Sequence, residues 1–333
     1  APRLHRGCRG FKSLIAHFAI GIAVRKGELL LTTPKRTLTL FDSTCLIVGI
    51  IIGAGVFETA PIVAAAGGGA GRMFALWIAG GLLSLCGALC YAELATAYPQ
   101  EGGDYVYLSR AYGRWAGFLF GWVQLVIVRP GDIVLMAFVF ATYGKTLVAS
   151  WLPGEWAGEE VAIRLTLASA AVVVLSVVNL IGVRQGKWTQ NVLTVVKVLG
   201  LAAIVVVAWF AEGPAEAPRL LDSTETAPLA LGLILVLFTF GGWNEMAYVA
   251  AEVKEPNRNI PRVLVLGTVS VTALYLLVNT AFLHTLGFEG MVRSTGIGVD
   301  VIDAVLPQWG GKLLAVLVCI SALGAVNGLI FAG

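Results

Sequence analysis

Long apolar runs recur along the chain and are separated by short polar stretches. A helix of about 20 apolar residues is long enough to cross the hydrocarbon core of a bilayer. The runs predict eight spans, at about 40–66, 73–98, 115–148, 161–181, 188–211, 227–251, 263–286 and 311–333. Because every backbone polar group must be paired inside lipid, we expect these spans to be helices.

The composition supports this interpretation. Of the 333 residues, 58% are hydrophobic and only 13% are charged. Soluble domains carry about 25% charged residues, so this chain has too few charges to cover a water-facing surface of its size. We therefore predict an all-α polytopic membrane protein.

The basic residues predict which loops face the cytoplasm. They cluster before spans one and three, between spans four and five, and between spans six and seven. By the positive-inside rule these loops are cytoplasmic, which places the amino terminus inside a multi-pass protein of the plasma membrane. The residues are Lys35, Arg36, Arg110, Arg114, Arg184, Lys187, Lys254, Arg258 and Arg262.

The first 36 residues differ from the rest of the chain. They are basic, and their apolar stretch from Leu14 to Val24 is too short to span a bilayer. We expect 1–36 to be a cytoplasmic tail or leader, which could be disordered, and 37–333 to be a transmembrane domain. The chain begins at Ala1 and stops at Gly333 within an apolar run, which predicts that it is a fragment.

Two spans contain closely spaced glycines. Span one has Gly53-Ala54-Gly55 within GIIIGAGVFETAP, and span six has Gly241-Gly242. Each glycine weakens a helix by about 1 kcal/mol relative to alanine, so both helices are predicted to unwind there. Unwound backbone is tolerated at membrane depth where a polar ligand or cavity satisfies it. Helix packing through GxxxG pairs is the alternative for either site taken alone.

The positions of the two breaks indicate a transporter. Spans one and six begin two successive five-helix groups, at about 37–211 and from about 227 to 333, and such matched interruptions mark the binding site of secondary transporters. A half-helix N-terminus suits a carboxylate, and the carbonyls of a half-helix C-terminus suit an ammonium. Together the two ends fit the main-chain zwitterion of an amino acid.

Three stretches resemble motifs of the amino acid–polyamine–organocation superfamily. GIIIGAGVFETAP resembles its span-one motif, FTFGGWNEMAYVAAEVKEPNRNIPR resembles its span-six motif, and QLVIVRPGDIVLMAFVFATY is similar to the L-type amino acid transporter branch. The resemblance implies the leucine-transporter fold, an inverted repeat of five helices, here truncated after about eight helices. Spans nine and ten of that fold would be missing.

The resemblance also implies which residues contact the substrate. The unwound backbone of span one would bind the carboxylate, and carbonyls of span six would bind the amino group. Phe238 would close over the solute as an aromatic gate, and Asn244 would anchor the unwound segment. The implied substrate-binding residues are Ile51, Ile52, Gly53, Ala54, Gly55, Phe238, Thr239, Gly241, Gly242 and Asn244.

Lys197 lies among apolar residues inside span five. A charge at such a depth is costly and predicts a function, with snorkelling to the cytoplasmic face as the alternative. The resemblance implies that its ammonium replaces a sodium ion and ties span five to spans one and eight, with Ser321 as a partner. A lysine there could also carry a coupling proton. We therefore expect transport without sodium, by proton symport or by exchange.

Two further charges lie within or near the spans. Arg129, next to Pro130 in span three, is expected to serve structure or gating rather than substrate binding. Glu245 follows the break in span six and is expected on a solvated half-helix surface near the cytoplasm.

The sequence therefore predicts a secondary transporter that moves neutral amino acids by alternating access. The alternative is a proton-coupled antiporter of basic amino acids or polyamines. We expect no enzyme, because the spans contain no Ser/His pair, HExxH motif or paired aspartates. No cofactor or metal is expected from the scattered cysteines and histidines, and a net charge of +3 suggests no nucleic acid. A covalently linked partner subunit is not expected, since ASWLPGEWAGEE, between spans three and four, has no cysteine.

Overall fold

The eight predicted spans are present in a computed structural model of the protein. Among the residues that the structure describes, seven helices are long and apolar enough to cross a membrane, and one bent pair of helices, taken as one span, gives the eighth. The predicted tail, 1–36, lies outside the described part of the chain except for Arg36. The described residues are 36–100, 102–148, 160–211, 213 and 227–332.

The first half of the chain contains spans one to five. Span one is α1 (Leu40–Ile51) with α2 (Gly55–Gly67), and span two is α3 (Ala70–Ala97). A short helix, Asp104–Ala111 (α4), precedes span three. Span three is α5 (Arg114–Val123), a π-helical turn (Gln124–Val128) and α6 (Arg129–Val148), followed by spans four and five, α7 (Glu160–Ile181) and α8 (Val183–Ala208).

The second half contains spans six to eight. Span six is α9 (Leu229–Thr239) followed by two 3₁₀ turns, Trp243–Ala247 and Ala250–Glu252. Span seven is α10 (Pro256–Arg293), which is kinked at Gly287. A short helix, α11 (Ile297–Asp303), precedes span eight, α12 (Gly310–Ala332).

The spans pack as two groups. The first helix group contains spans one, two, six and seven, which pack on one another through α1, α2, α3, α9 and α10. The second helix group contains spans three, four and eight, where α6 packs on α7 and α12 around Ala137, Ala141 and Ala168. Span five, α8, packs against members of both groups, so it is placed to link them.

Polar contacts fix the N-terminal end of span one. Thr39 and Asp42 form a capping box that begins α1. The Asp42 carboxylate also accepts hydrogen bonds from Lys187 Nζ at 2.9 Å and Asn191 Nδ2 at 2.7 Å. Because both donors lie on α8, these bonds hold the start of span one against span five.

Candidate functional site

Span one is broken where the glycines predict it. α1 and α2 meet at an angle of 51°, and Gly53 N donates to Ile51 O at 2.9 Å instead of continuing the helix. The residue at the N-cap position of α2 is Ala54, so no side chain there accepts a hydrogen bond from the first N–H groups of the helix. The first N–H groups of a helix have no partner within that helix, so the start of α2 offers N–H groups to an anion.

Span six is broken at its glycine pair. α9 ends at Thr239, and Gly242 has a φ of +112°, a backbone conformation that strongly favours glycine. A Cβ added at Gly242 would lie 2.8 Å from Cγ2 of Ile50. The second break therefore packs directly against the end of α1.

The two breaks also meet through their other half-helix ends, the start of α2 and the end of α9. A Cβ added at Gly55 would lie 3.2 Å from Cγ2 of Thr239, and the hydroxyls of Thr59 and Thr239 are 3.1 Å apart. The N-terminal end of α2 is thus in contact with the C-terminal end of α9. These ends carry opposite partial charges, which is the arrangement that complements an ammonium and a carboxylate on one ligand.

Tyr275 of span seven joins the two broken helices. Its hydroxyl lies 3.1 Å from the carbonyl oxygen of Ile51 and 3.4 Å from that of Thr239, so it can donate to the last carbonyl of either half-helix. The buried ring packs edge-on against Trp77 and Phe240. Sequence reasoning missed this residue, because one tyrosine in an apolar helix is indistinguishable from an ordinary core residue.

Lys197 is fully buried on α8, and its ammonium contacts three carbonyl oxygens. The distances are 2.7 Å to Gly49, 2.8 Å to Ile52 and 3.0 Å to Ser321. Gly49 has lost its usual helical partner, since Gly53 N bonds to Ile51 instead. An ammonium has three donors, so the three carbonyls saturate it.

This geometry excludes snorkelling for Lys197 and shows how it bridges the helix groups. Gly49 and Ile52 belong to the first helix group, and Ser321 belongs to the second. Replacement of a sodium ion by this ammonium stays a prediction. Ser321 contributes its backbone carbonyl to Lys197, while its hydroxyl donates to Ile52 O at 2.9 Å.

The backbone hydrogen bonds reduce the number of predicted residues whose N–H groups are available to a substrate carboxylate. Ile52 N donates to Val48 O, and Ile52 O already accepts from Lys197 and Ser321. Since the N–H of Gly53 is also bonded, Ala54 and Gly55 are the predicted residues whose N–H groups best suit an incoming carboxylate. Their role in binding stays a prediction.

The other predicted site residues lie at the two breaks, with Ile51 at the first and Phe238, Gly241 and Asn244 at the second. Ile51 is buried, Asn244 is partly buried, and Gly241 is exposed. Phe238 is 65% exposed and does not close over the breaks in this arrangement, whereas Phe240 is buried against Trp77 and Tyr275. A gate formed by Phe238 stays a prediction that would require its ring to move.

The prediction for Glu245 is wrong. Its side chain is not on a solvated surface but is buried, and it forms an ion pair with Arg129 at 2.8 Å. The sequence places the partners 116 residues apart, so no local pattern reveals the pair. The Glu245 carboxylate is therefore already neutralised by a cation of the protein.

Comparison with known proteins gives consistent relatives. A family model described as amino acid permease matches residues 38–333. The b(0,+)-type amino acid transporter 1 of Mus musculus is 32% identical, over 91% of this chain and 62% of the relative. The serine/threonine exchanger SteT of Bacillus subtilis is 31% identical, over 88% and 65%. The large neutral amino acids transporter small subunit 2 of Homo sapiens is 30% identical, over 89% and 56%.

The chain thus spans less than two thirds of the length of these curated relatives. All three are named as transporters or exchangers of amino acids. The match includes both broken helices, Lys197 and the contacts of Tyr275, because it extends from residue 38 to residue 333.

Proposed function

This chain belongs to the amino acid permease family, and on that premise we propose that it is a secondary transporter that moves amino acids across the membrane by alternating access. The observation that carries the proposal is the contact between the two helix breaks, where the start of α2 meets the end of α9. Opposed half-helix ends would bind the carboxylate and the ammonium of the substrate.

Neutral amino acids are the substrates that the site supports best. A cationic side chain would need a carboxylate at the site. Glu245, the acidic residue that follows the second break in sequence, is paired with Arg129. Ile51 adds an apolar surface at the first break. A proton-coupled antiporter of basic amino acids or polyamines therefore has less support.

We further propose that transport does not require sodium. Carbonyls of unwound helices coordinate sodium in coupled transporters, and here the carbonyls of Gly49 and Ile52 are occupied by Lys197. A fixed ammonium leaves exchange or a proton gradient to drive uptake. We place the protein in the plasma membrane with basic loops inside.

Some transporters of amino acids work with a second subunit, as the name of one relative indicates. One relative is named a small subunit. For this chain we propose transport without a covalently linked partner, because the sequence between spans three and four has no cysteine.

Uptake into proteoliposomes tests the proposed function. We expect the reconstituted protein to take up radiolabelled neutral amino acids when the vesicles contain internal amino acid or when a proton gradient is applied. Replacing sodium by choline should leave the initial rate unchanged, because Lys197 holds the carbonyls that a sodium ion would need.

Empty liposomes and uptake of lysine or putrescine are the controls. Strict dependence on sodium would contradict the assigned role of Lys197. Uptake restricted to lysine or putrescine would instead favour the antiporter alternative, and absence of uptake under all conditions would contradict transport.

A further inference from the structure

The ion pair between Arg129 and Glu245 lies deep in the membrane domain. Arg129 begins α6, 15 residues after Arg114, the start of span three, which corresponds to about 22 Å along a helix. The side chains of Arg129 and Glu245 are only 14% and 9% exposed. Charges at such a depth are expensive unless they are paired, and they mark functional sites.

This pair connects the two helix groups. α6 packs on spans four and eight, whereas the 3₁₀ turn that carries Glu245 packs mainly on α3, α1 and α10 and only slightly on α12. Span three is therefore attached to the unwound part of span six through charged side chains.

Tyr248 supplies a second connection beside the first. Gln124 Nε2 donates to the Tyr248 hydroxyl at 3.0 Å, and the Arg129 guanidinium lies 5.1 Å from the centre of the Tyr248 ring. The π turn explains how both residues reach one tyrosine, since Arg129 N bonds to Gln124 O, five residues earlier. π turns often occur at functional sites.

Tyr248 is also hydrogen-bonded to Asp104, at the start of α4. The Tyr248 hydroxyl donates to Asp104 Oδ2 at 3.1 Å, and the Tyr91 hydroxyl donates to Asp104 Oδ1 at 2.6 Å. Asp104 begins α4, and Tyr91 lies on α3 and packs edge-on against Trp243. The segment that follows the second break is thus bound on both sides.

Stability alone does not account for such a pair. Replacing a buried ion pair by apolar residues of similar volume is often neutral or stabilising, whereas removing one partner is strongly destabilising. A pair that joins two helix groups has a further consequence, because any motion of one group against the other must separate the charges.

We propose that Arg129, Glu245, Gln124, Tyr248 and Asp104 form a clasp that holds the unwound segment of span six against span three. Within the clasp, Arg129 and Glu245 are positioning residues for the backbone that follows the second break. The contacts of the clasp are formed in this structure, and they break when the two helix groups separate. Its part in transport rests on the proposed function, but its effect on the segment does not.

Protection of a thiol placed inside the segment tests the clasp. Ala247 lies between Glu245 and Tyr248 and is 1% exposed, so a cysteine there should react slowly with N-ethylmaleimide while the clasp is closed. The reaction is measured on Ala247→Cys in a background where Cys8, Cys86 and Cys90 are serine. Adding Glu245→Gln should raise the rate about tenfold, a shift that corresponds to about 1.4 kcal/mol.

The exchanged pair, Arg129→Glu with Glu245→Arg, should restore slow labelling, because the charges are again paired. The matched control is Glu289→Gln, which breaks the exposed ion pair with Arg293 and should leave the rate unchanged. Tyr248→Phe removes the hydrogen bonds to Gln124 and Asp104 but leaves the ion pair between Arg129 and Glu245 intact. It should raise labelling about threefold, and it serves as the test if Glu245→Gln fails to fold.

The labelling and uptake results separate the two proposals. Equal labelling of folded Glu245→Gln, Tyr248→Phe and parent proteins would overturn the clasp, even in an active transporter. Faster labelling in the variants, reversed in the exchanged pair, would support the clasp even if no amino acid were transported. In an active transporter, Glu245→Gln should also raise the KM for the amino acid more than it lowers kcat, which a purely structural role would not produce.

Discussion

Replacing Lys197 by methionine is expected to lower the initial rate of amino acid uptake about a hundredfold, which corresponds to about 2.7 kcal/mol. Methionine keeps most of the volume but removes the ammonium that Gly49, Ile52 and Ser321 share. Gly49 O is then left without a donor, which costs about 1–3 kcal/mol for a buried acceptor, whereas Ile52 O keeps the Ser321 hydroxyl. The measurement is uptake of a radiolabelled neutral amino acid into proteoliposomes of equal protein content.

The lower uptake rate should result from losing the attachment between the helix groups, and not from general unfolding. Lys312→Met, which alters an exposed lysine at the start of α12, is the control and should transport normally. Thermal unfolding of both variants reports on the fold. A Lys197→Met protein that takes up amino acids at the parent rate would remove Lys197 from the mechanism.

Replacing Gly242 by valine is expected to abolish uptake, with a loss of about a hundredfold or more. The φ of +112° at Gly242 is disfavoured for any residue with a Cβ, at a cost of about 1–2 kcal/mol. The added Cβ would also lie 2.8 Å from Cγ2 of Ile50, so the second break would be pushed away from α1. Initial uptake rates in proteoliposomes measure the effect.

Gly71→Val is the matched control, because a Cβ at Gly71 meets no atom within 4 Å. It should leave uptake close to that of the parent protein. If Gly242→Val transported as well as Gly71→Val, the contact between the breaks would not be needed for function.

The sequence was sufficient for the features that depend on local chemistry. The glycines of span one weaken a helix wherever they occur, so the break after Ile51 could be predicted without tertiary information. The same applies to Gly242 in span six. A lysine in an apolar helix is conspicuous for a similar reason, and Lys197 does lie on the carbonyls that the break in span one exposes.

Features that depend on distant partners could not be predicted. Glu245 follows a helix break and looks solvated, but its environment is set by Arg129 on another span. The π turn that aligns Gln124 with Arg129 has no compositional signal in QLVIV. The hydroxyl of Tyr275 gains its importance only because two helix ends converge on it.

The central claim is that the two helix breaks together bind the charged ends of one amino acid. Equilibrium binding of a radiolabelled neutral amino acid to the purified protein, with unlabelled competitors, tests this directly. The unlabelled amino acid itself should compete. Its amide lacks the carboxylate, and its deaminated acid lacks the ammonium. Each of these two analogues should compete at least about a hundredfold more weakly, because each leaves one half-helix end unpaired. Equal competition by either analogue would contradict the account.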